Sequence, residues 1–334
     1  VRLARAPGRV NLIGDHTDYN LGLALPMAVG FETTVTFSAS SDAFVLLSSD
    51  LQPGTVRISL RGQPDPHGPP WGRLAAAIVA LVGPHSGGVG RIATTVPVGA
   101  GLASSAAFCV ALSLALGARL PSHELARLCQ QAEATIGADV GLMDPLVALE
   151  GGLLLIDFST MRTERIVIPP TAEVVVVHSG QYRRLADTPY RQRRLECQAA
   201  AAALGSPLGL ASLDAISTIA DPVLRRRARH VVTECDRVRA MATALGNNDL
   251  RAAGSVMIES HRSLAEDFEA STERVDALVA RLLGTEGVFG ARMTGGGFGG
   301  CVVAICERGA LDDVRWSEER WPVQPGAGAS VSSS

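Results

Sequence analysis

Pro97-Val98-Gly99-Ala100-Gly101-Leu102-Ala103-Ser104-Ser105-Ala106 lies between a strand-like run, residues 91–96, and an alanine- and leucine-rich segment, residues 102–117, that predicts a helix. Glycines let a backbone approach an anion closely, and a helix start offers unpaired N–H groups at the positive end of its dipole. Ser104 and Ser105 place two hydroxyls in the first turn, suited to phosphate oxygens or a magnesium ion. The same pattern fits a small-residue loop entering a tightly packed helix, so its meaning depends on what flanks it.

On the amino-terminal side stands Arg5-Ala6-Pro7-Gly8-Arg9-Val10-Asn11-Leu12-Ile13-Gly14-Asp15-His16-Thr17-Asp18-Tyr19-Asn20. This stretch is either an exposed turn with Asx caps or a set of carboxylates and amides able to bind several hydroxyls at once, as a sugar requires. His16 has no second histidine at ligand spacing, which argues against zinc. On the carboxy-terminal side stands Thr294-Gly295-Gly296-Gly297-Phe298-Gly299-Gly300, which implies positive φ angles or very close packing. No strand–GxGxxG–helix unit accompanies it, so a dinucleotide oxidoreductase is a remote reading.

The chain has 334 residues, enough for about two domains with cores of their own. It is 47% hydrophobic and 19% charged, which excludes a disordered chain. The best apolar runs, residues 74–82 and 106–118, fall short of the roughly 18 residues that cross a bilayer. No basic leader precedes an apolar stretch, and the expectation is a cytoplasmic protein. Lysine is absent, so all 30 basic side chains are arginines. That excludes a lysine-bearing P-loop, Schiff-base chemistry and pyridoxal phosphate anchoring. Phosphate, if handled, must be met by arginine, backbone N–H groups and metal.

The net charge of −3 does not draw the molecule to nucleic acid. The runs Arg225-Arg226-Arg227-Ala228-Arg229 and Arg191, Arg193, Arg194 read as solvated helix faces, with too few aromatics for base stacking. The six cysteines show no CxxC and no zinc spacing, and fit reduced thiols. Cys301 and Cys306 bracket an apolar strand at odd spacing, which sends their side chains to opposite faces.

Strand patterns fall at residues 31–37, 55–60, 152–157, 165–168, 173–177 and 302–305. Residues 63–70 read as a loop. Helical patterns fall at 71–82, 102–117, 122–136 with Ser122 as N-cap, 188–204, 222–245, 249–267 and 273–283. The tail, residues 325–334, is small and polar and reads as frayed.

Read in order, the three glycine-bearing segments resemble the signatures of the GHMP kinases, and within them the galactokinase family. The first is close to GRVNLIGEHTDYN, the second to P-x-G-x-G-L-[SA]-S-S-A, and the third to TGxGFGG. Cys129-Gln130-Gln131-Ala132-Glu133, Gly141-Leu142-Met143-Asp144 and residues 185–197 are also similar, so the resemblance runs from Arg5 to about Cys306. It implies a two-domain α+β GHMP kinase fold. A ribosomal-S5-like N-terminal domain, residues 1–170, would precede an α+β C-terminal domain, residues 171–334, with the active site in the cleft.

The implied activity is ATP-dependent phosphorylation of the anomeric hydroxyl of galactose, with ATP and Mg2+ required, in a monomer that binds neither nucleic acid nor a membrane. Asp144 would accept the sugar's proton, and Arg9 would hold it ionised and stabilise the transferring phosphoryl. Asp15, His16, Asp18, Gly141 and Tyr190 would contact the sugar. Gly99, Gly101, Leu102, Ser104, Ser105 and Trp71 would contact the nucleotide, although Trp71 equally fits a core position. Ser105 and Glu133 would ligate the metal. Two positions depart from the family: Asp15 stands where glutamate is usual, and Pro145 where glutamine is. The resemblance therefore also leaves room for a kinase of another sugar (a uronic acid, an amino sugar or arabinose), or for a sensor that binds sugar and ATP without turnover.

Overall fold

Two sheets organise the chain in a computed structural model that describes residues 1–65, 67–97, 99–137, 140–182, 189–312 and 317–333. Pro66 of the expected loop, Val98 of the glycine loop, and Leu185 and Thr188 ahead of the helix expected from residue 188 lie outside the described residues. Strands β1 (Arg2–Asn11), β2 (Leu23–Ala24), β3 (Pro26–Ala39), β4 (Phe44–Ser49) and β5 (Thr55–Ser59) come first. Helix α1 (Gly72–Val82) leads to β6 (Gly88–Thr94), followed by α2 (Ser104–Leu116), α3 (Ser122–Thr135) and α4 (Met143–Glu150). Strands β7 (Leu153–Asp157), β8 (Arg162–Ile166) and β9 (Ala172–His178) follow. Then come α5 (Tyr190–Leu204), α6 (Leu213–Ile216), α7 (Pro222–Gly246), α8 (Leu250–Glu266) and α9 (Glu273–Leu283). The chain ends with β10 (Val288–Met293), β11 (Cys301–Glu307), β12 (Arg320–Val323) and β13 (Ser330–Ser333).

The larger sheet runs β13-β1-β3-β6-β4-β5, with β7 joined to β3 and carrying β2 and β8. Its pairs are antiparallel except β4 with β6. In β3, Val35 and Phe37 are buried and Thr36 is exposed, the period-2 pattern of a strand with one covered face. Helix α2 is buried on almost every side, between β1, β3 and the neighbouring helices. The smaller sheet runs β10-β11-β9-β12 and is covered on both faces, which is why the valines of β9 are buried without alternation. Val174 and Val176 join the core shared with Val10, Leu12 and Met27 of the first sheet. Val175 and Val177 join a second core with Ala200, Val231 and Leu282. Cys301 and Cys306 divide between these same two cores, as their spacing requires, and all six cysteines are buried free thiols.

Four expectations change. The stretch at the amino terminus is no exposed turn: Arg2–Asn11 forms an interior strand of the larger sheet, and Asn11, Asp15, His16 and Asn20 beyond it are buried. Its weak strand signal has a simple cause, since the inward residues are alanines and Pro7-Gly8 interrupts the run. The N-cap of α3 is Pro121, and Ser122 is the first helical residue.

The tail is not frayed. β13 pairs antiparallel with β1, from Arg2↔Ser333 to Arg5↔Ser330. Gly326 N–H donates to Ala28 O at 2.8 Å, and Ala329 N–H to Ala148 O at 2.8 Å. The tail's small residues permit this approach: a Cβ at Gly326 would stand 2.5 Å from Val29 O.

The arginine runs are solvated faces only in part, with Arg191 and Arg229 exposed. Arg227 is buried, its Nε donates to Glu196 Oε2 at 2.7 Å and its Nη1 to Asp267 O at 2.6 Å, and it also pairs with Glu269. Arg193 donates to Phe268 O at 2.6 Å and bridges to Glu196 at 3.2 Å. Together they clamp α5 and α7 onto the turn that carries Phe268. The acidic partners of Arg227 lie far away in sequence, where the periodicity of its own helix cannot reveal them.

Candidate active site

The first wall is the glycine loop ahead of α2. Gly99 and Gly101 are left-handed, at φ 77° and 75°, and Ala103, the N-cap of α2, is left-handed at 58° with no side-chain acceptor. The loop's carbonyls are turned into the protein. Ala100 O accepts from Cys301 Sγ at 2.9 Å, Gly101 O from Arg9 Nη1 at 2.7 Å, and Leu102 O from Arg9 N–H at 3.0 Å. Beyond them lies the start of α2, and an open helix start suits an anion. A bulge at Gly8 makes the approach possible, because a Cβ there would stand 2.6 Å from Leu102 O. The Leu102 side chain is in the core, so that residue serves the loop through its carbonyl.

Beside the loop opens a cavity of about 410 Å3 lined by Trp71, Ser104, Ser105, Phe108, Leu51 and Ile136. Trp71 packs its ring against the core, yet its Nε1–H is buried with no partner.

At the centre, Arg9 grips Asp144 with two hydrogen bonds, Nε to Oδ1 and Nη2 to Oδ2, both 2.7 Å. This fork-to-fork pairing fixes the carboxylate plane as well as its charge. Asp144 sits in the first turn of α4, where the helix dipole favours an anion. Pro145 follows it inside the same turn, at a position with no intrahelical N–H bond to lose. Glu133 is buried nearby. Burial lifts its pKa to about 7, against a hydrogen bond from Ser105 and with help from Asp144. Ser105 and Glu133 supply two hard oxygens, a set that fits magnesium completed by phosphate and water. No group of three or more acidic, histidine or cysteine ligands exists among the described residues, so such an ion would depend on the nucleotide.

The opposite wall is the turn from Gly14 to Asn20. Thr17 Oγ1 donates to Gly14 O and Leu23 O, and Asn20 Nδ2 to His16 O, which fixes the turn. His16 adopts φ 64°, meets Tyr19 OH at 2.8 Å through Nδ1, and stacks on Phe268 at 4.4 Å and Tyr190 at 5.4 Å. Asp18 faces Asp144, and burial, then that negative neighbour, raise its pKa to about 6. Gly141 closes against it: a Cβ there would fall 1.4 Å from Asp18 Oδ2 and would force the carboxylate to move.

Asp15, in the same turn, packs against the smaller sheet. It is 2% exposed, its Oδ1 accepts from Gly295 N–H at 3.0 Å, and its Oδ2 pairs with Arg292 at 2.7 Å. Behind it, Glu234 accepts from Gly14 N–H at 3.0 Å and from Ser260 Oγ at 2.6 Å, and His230 Nε2 meets Asp15 O at 3.2 Å. Burial works against the Glu234 charge, but Arg237, His230 and Arg292 outweigh it and hold its pKa at about 2. Sequence reasoning missed Arg292, Glu234, His230 and Phe268. The one signal was Arg292, a charge in an apolar strand just ahead of the glycine cluster.

Arg9, Asp144, Ser105 and Glu133 thus form one cluster, with the glycine loop and the Trp71 cavity on one side and Asp18, His16, Gly141 and Tyr190 on the other. Matches to known families agree with this arrangement. Residues 73–152 match the GHMP kinase N-terminal domain and residues 241–315 the GHMP kinase C-terminal domain, which defines the class as a GHMP kinase. Residues 2–39 match the galactokinase galactose-binding signature. The chain is 44% identical to a galactokinase of Mycobacterium bovis over 96% of this chain and 93% of that one. It is 38% identical to a galactokinase of Homo sapiens over 91% and 83%. The fold superposes on Lactococcus lactis galactokinase complexed with galactose with a TM-score of 0.89, at 26% identity, over 98% and 94% of the two chains. The chain belongs to the galactokinase family.

Proposed function

We propose that the chain transfers the γ-phosphoryl group of ATP to the anomeric hydroxyl of galactose, giving galactose 1-phosphate and ADP. The observation that carries this reading is the Asp144 carboxylate, held at two points by Arg9 between the glycine loop and a carboxylate-bearing turn. The hydroxyl oxygen attacks the γ-phosphorus, its proton passes to Asp144, and the bond from phosphorus to the β,γ-bridging oxygen breaks to release ADP. Arg9 steers Asp144 and places positive charge beside the transferring group, where positioning and electrostatics do most of the work. Asp18, His16, Gly141 and Tyr190 bind and orient the sugar. Gly99, Gly101, Ser104 and Ser105 cradle the phosphates, and Trp71 borders the base. Ser105 and Glu133 would hold Mg2+, which when bound neutralises charge on the β- and γ-phosphate oxygens.

The reading takes residues 1–170 as a ribosomal-S5-like domain and the rest as the second, with β13 returning to the first sheet. It also takes the chain as a cytoplasmic monomer acting on small molecules alone. The buried free thiols and the net charge of −3 support this, and no helix among the described residues is long and apolar enough to cross a membrane. A second reading, another sugar as the acceptor, is favoured by the commitment of Asp15 to Arg292 and Gly295. The test is ADP release with Mg-ATP over galactose, glucose, galactosamine, galacturonate and arabinose. Galactose is expected to be turned over fastest. Faster turnover of another sugar gives the second reading, and silence with all of them makes the chain a sensor.

A further inference from the structure

We infer that Tyr182 is a positioning residue for the nucleotide: its ring packs on Gly99 and holds the glycine loop ahead of α2 against the smaller sheet. This rests on the phosphoryl-transfer reading, in which that loop cradles the phosphates. A Cβ built on Gly99 would stand 3.2 Å from Tyr182 Cδ1 and 3.7 Å from Cε1. Chain neighbours aside, no other residue among the described ones reaches within 4 Å of that point. Gly99 is left-handed at φ 77°, so the ring sits where the loop turns. Tyr182 is 68% exposed, so the core does not place it.

The segment that follows β9 does. Ser179 N–H donates to Gly300 O, and Gly300 N–H to Gln181 O, both at 2.9 Å. Thr272 Oγ1 donates to Gln181 Oε1 at 2.9 Å, and Arg274 Nε donates to Ser179 O. The segment is thereby strapped to the glycine-rich loop at residues 294–300 and to the start of α9. The Tyr182 ring leaves this strap stacked on the buried His178 ring, with centroids 4.4 Å apart. Next to Gly300, Cys301 donates its Sγ to Ala100 O at 2.9 Å. The phosphate-side loop therefore meets the smaller sheet at two successive residues, Gly99 through a ring and Ala100 through a thiol. Glycine has many backbone conformations open to it, and a ring laid on Gly99 removes some of them before ATP arrives.

The test compares the full chain with Tyr182→Ala and Tyr182→Phe, by calorimetry of Mg-ATP binding without sugar and by steady-state kinetics with galactose. Loss of the ring is expected to weaken ATP binding and raise the ATP KM about ten-fold, while the galactose KM stays within about two-fold. Tyr182→Phe keeps the ring and should match the wild-type chain within about two-fold. Gly99→Ala puts a methyl group against the ring, so its penalty on ATP binding should be about three-fold smaller in the Tyr182→Ala background. Equal penalties in both backgrounds would show that ring and glycine do not act as a pair and overturn the inference. Unchanged ATP affinity in Tyr182→Ala, even with a lowered melting temperature, would overturn it too. So would a loss in Tyr182→Phe as large as in Tyr182→Ala, which would mean that the hydroxyl acts directly. If Tyr182→Ala does not fold, Tyr182→Leu removes the flat ring and decides in the same way. A wild-type chain that binds ATP and phosphorylates no sugar would instead remove the sugar-kinase reading, and the binding measurements would still decide the role of Tyr182.

Discussion

Asp18 and Glu133 titrate at about 6 and about 7, each raised first by burial, so both take up protons in mildly acidic solution. A protonated Asp18 accepts poorly from sugar hydroxyls, and a protonated Glu133 is a poor metal ligand. The kcat/KM for galactose should therefore fall as pH drops from about 8 through about 6. Stability responds with the opposite sign. Both folded pKa values lie above the ordinary 3.8 and 4.5, so their contribution is fullest below about pH 4 and is lost as pH rises through about 6 to 7. Glu234, held at about 2, contributes above its ordinary 4.5 and loses that contribution as pH falls toward 2. Activity profiles and nucleotide-free melts from about pH 5 to 8 check both signs, and activity undiminished at pH 5 contradicts them. The proposed catalytic pair, Arg9 and Asp144, could be picked out in the sequence because each stands in a contiguous motif with a glycine. Arg292 and Glu234 could not, because their meaning is a partner more than two hundred residues away in sequence.

Helices with strong caps were the legible elements. Asp221 accepts from Val223 and Leu224 N–H, and Asp249 from Ala252 N–H, and the two helices, Pro222–Gly246 and Leu250–Glu266, fall within a residue of the expected bounds 222–245 and 249–267. β1 was hidden because alanine, proline and glycine fill a strand whose task is to carry Arg9 to the glycine loop. The arginine-rich face of α7 misled for a related reason, since charge density alone cannot tell a wet face from a buried network. Arg227→Ala should leave Glu196 and Glu269 without their central partner. Removing one member of such a buried set costs about 3–5 kcal/mol, to be read as a lowered midpoint in urea. Because the same clamp holds the turn bearing Phe268, on which His16 stacks, the galactose KM should rise as well. An unchanged midpoint would show that the network contributes nothing.

At the scale of the molecule, one core runs through both sheets, with Val10 and Met27 packed alongside Val176 and Val303. The cleft above it is therefore built on a shared floor. The tail closes the far edge of the larger sheet, pairing β13 with the strand that carries Arg9. Deleting residues 325–334 opens that edge and strips the backbone bonds at Gly326 and Ala329. The truncated chain is expected to melt about 5 °C lower and to aggregate more readily, as measured by calorimetry and light scattering. A melting temperature equal to that of the full chain would return the tail to the frayed segment its composition suggested.

The central claim is that Asp144, held by Arg9, takes the proton of the galactose anomeric hydroxyl as phosphate arrives. The most direct measurement follows the products of full chain, Mg-ATP and galactose by phosphorus NMR, beside Asp144→Ala with galactose binding measured by calorimetry. The account predicts galactose 1-phosphate from the wild-type chain, and none from a variant that still binds the sugar. Phosphosugar formation by Asp144→Ala at the wild-type rate, or galactose bound and unchanged in the wild-type chain, would contradict it.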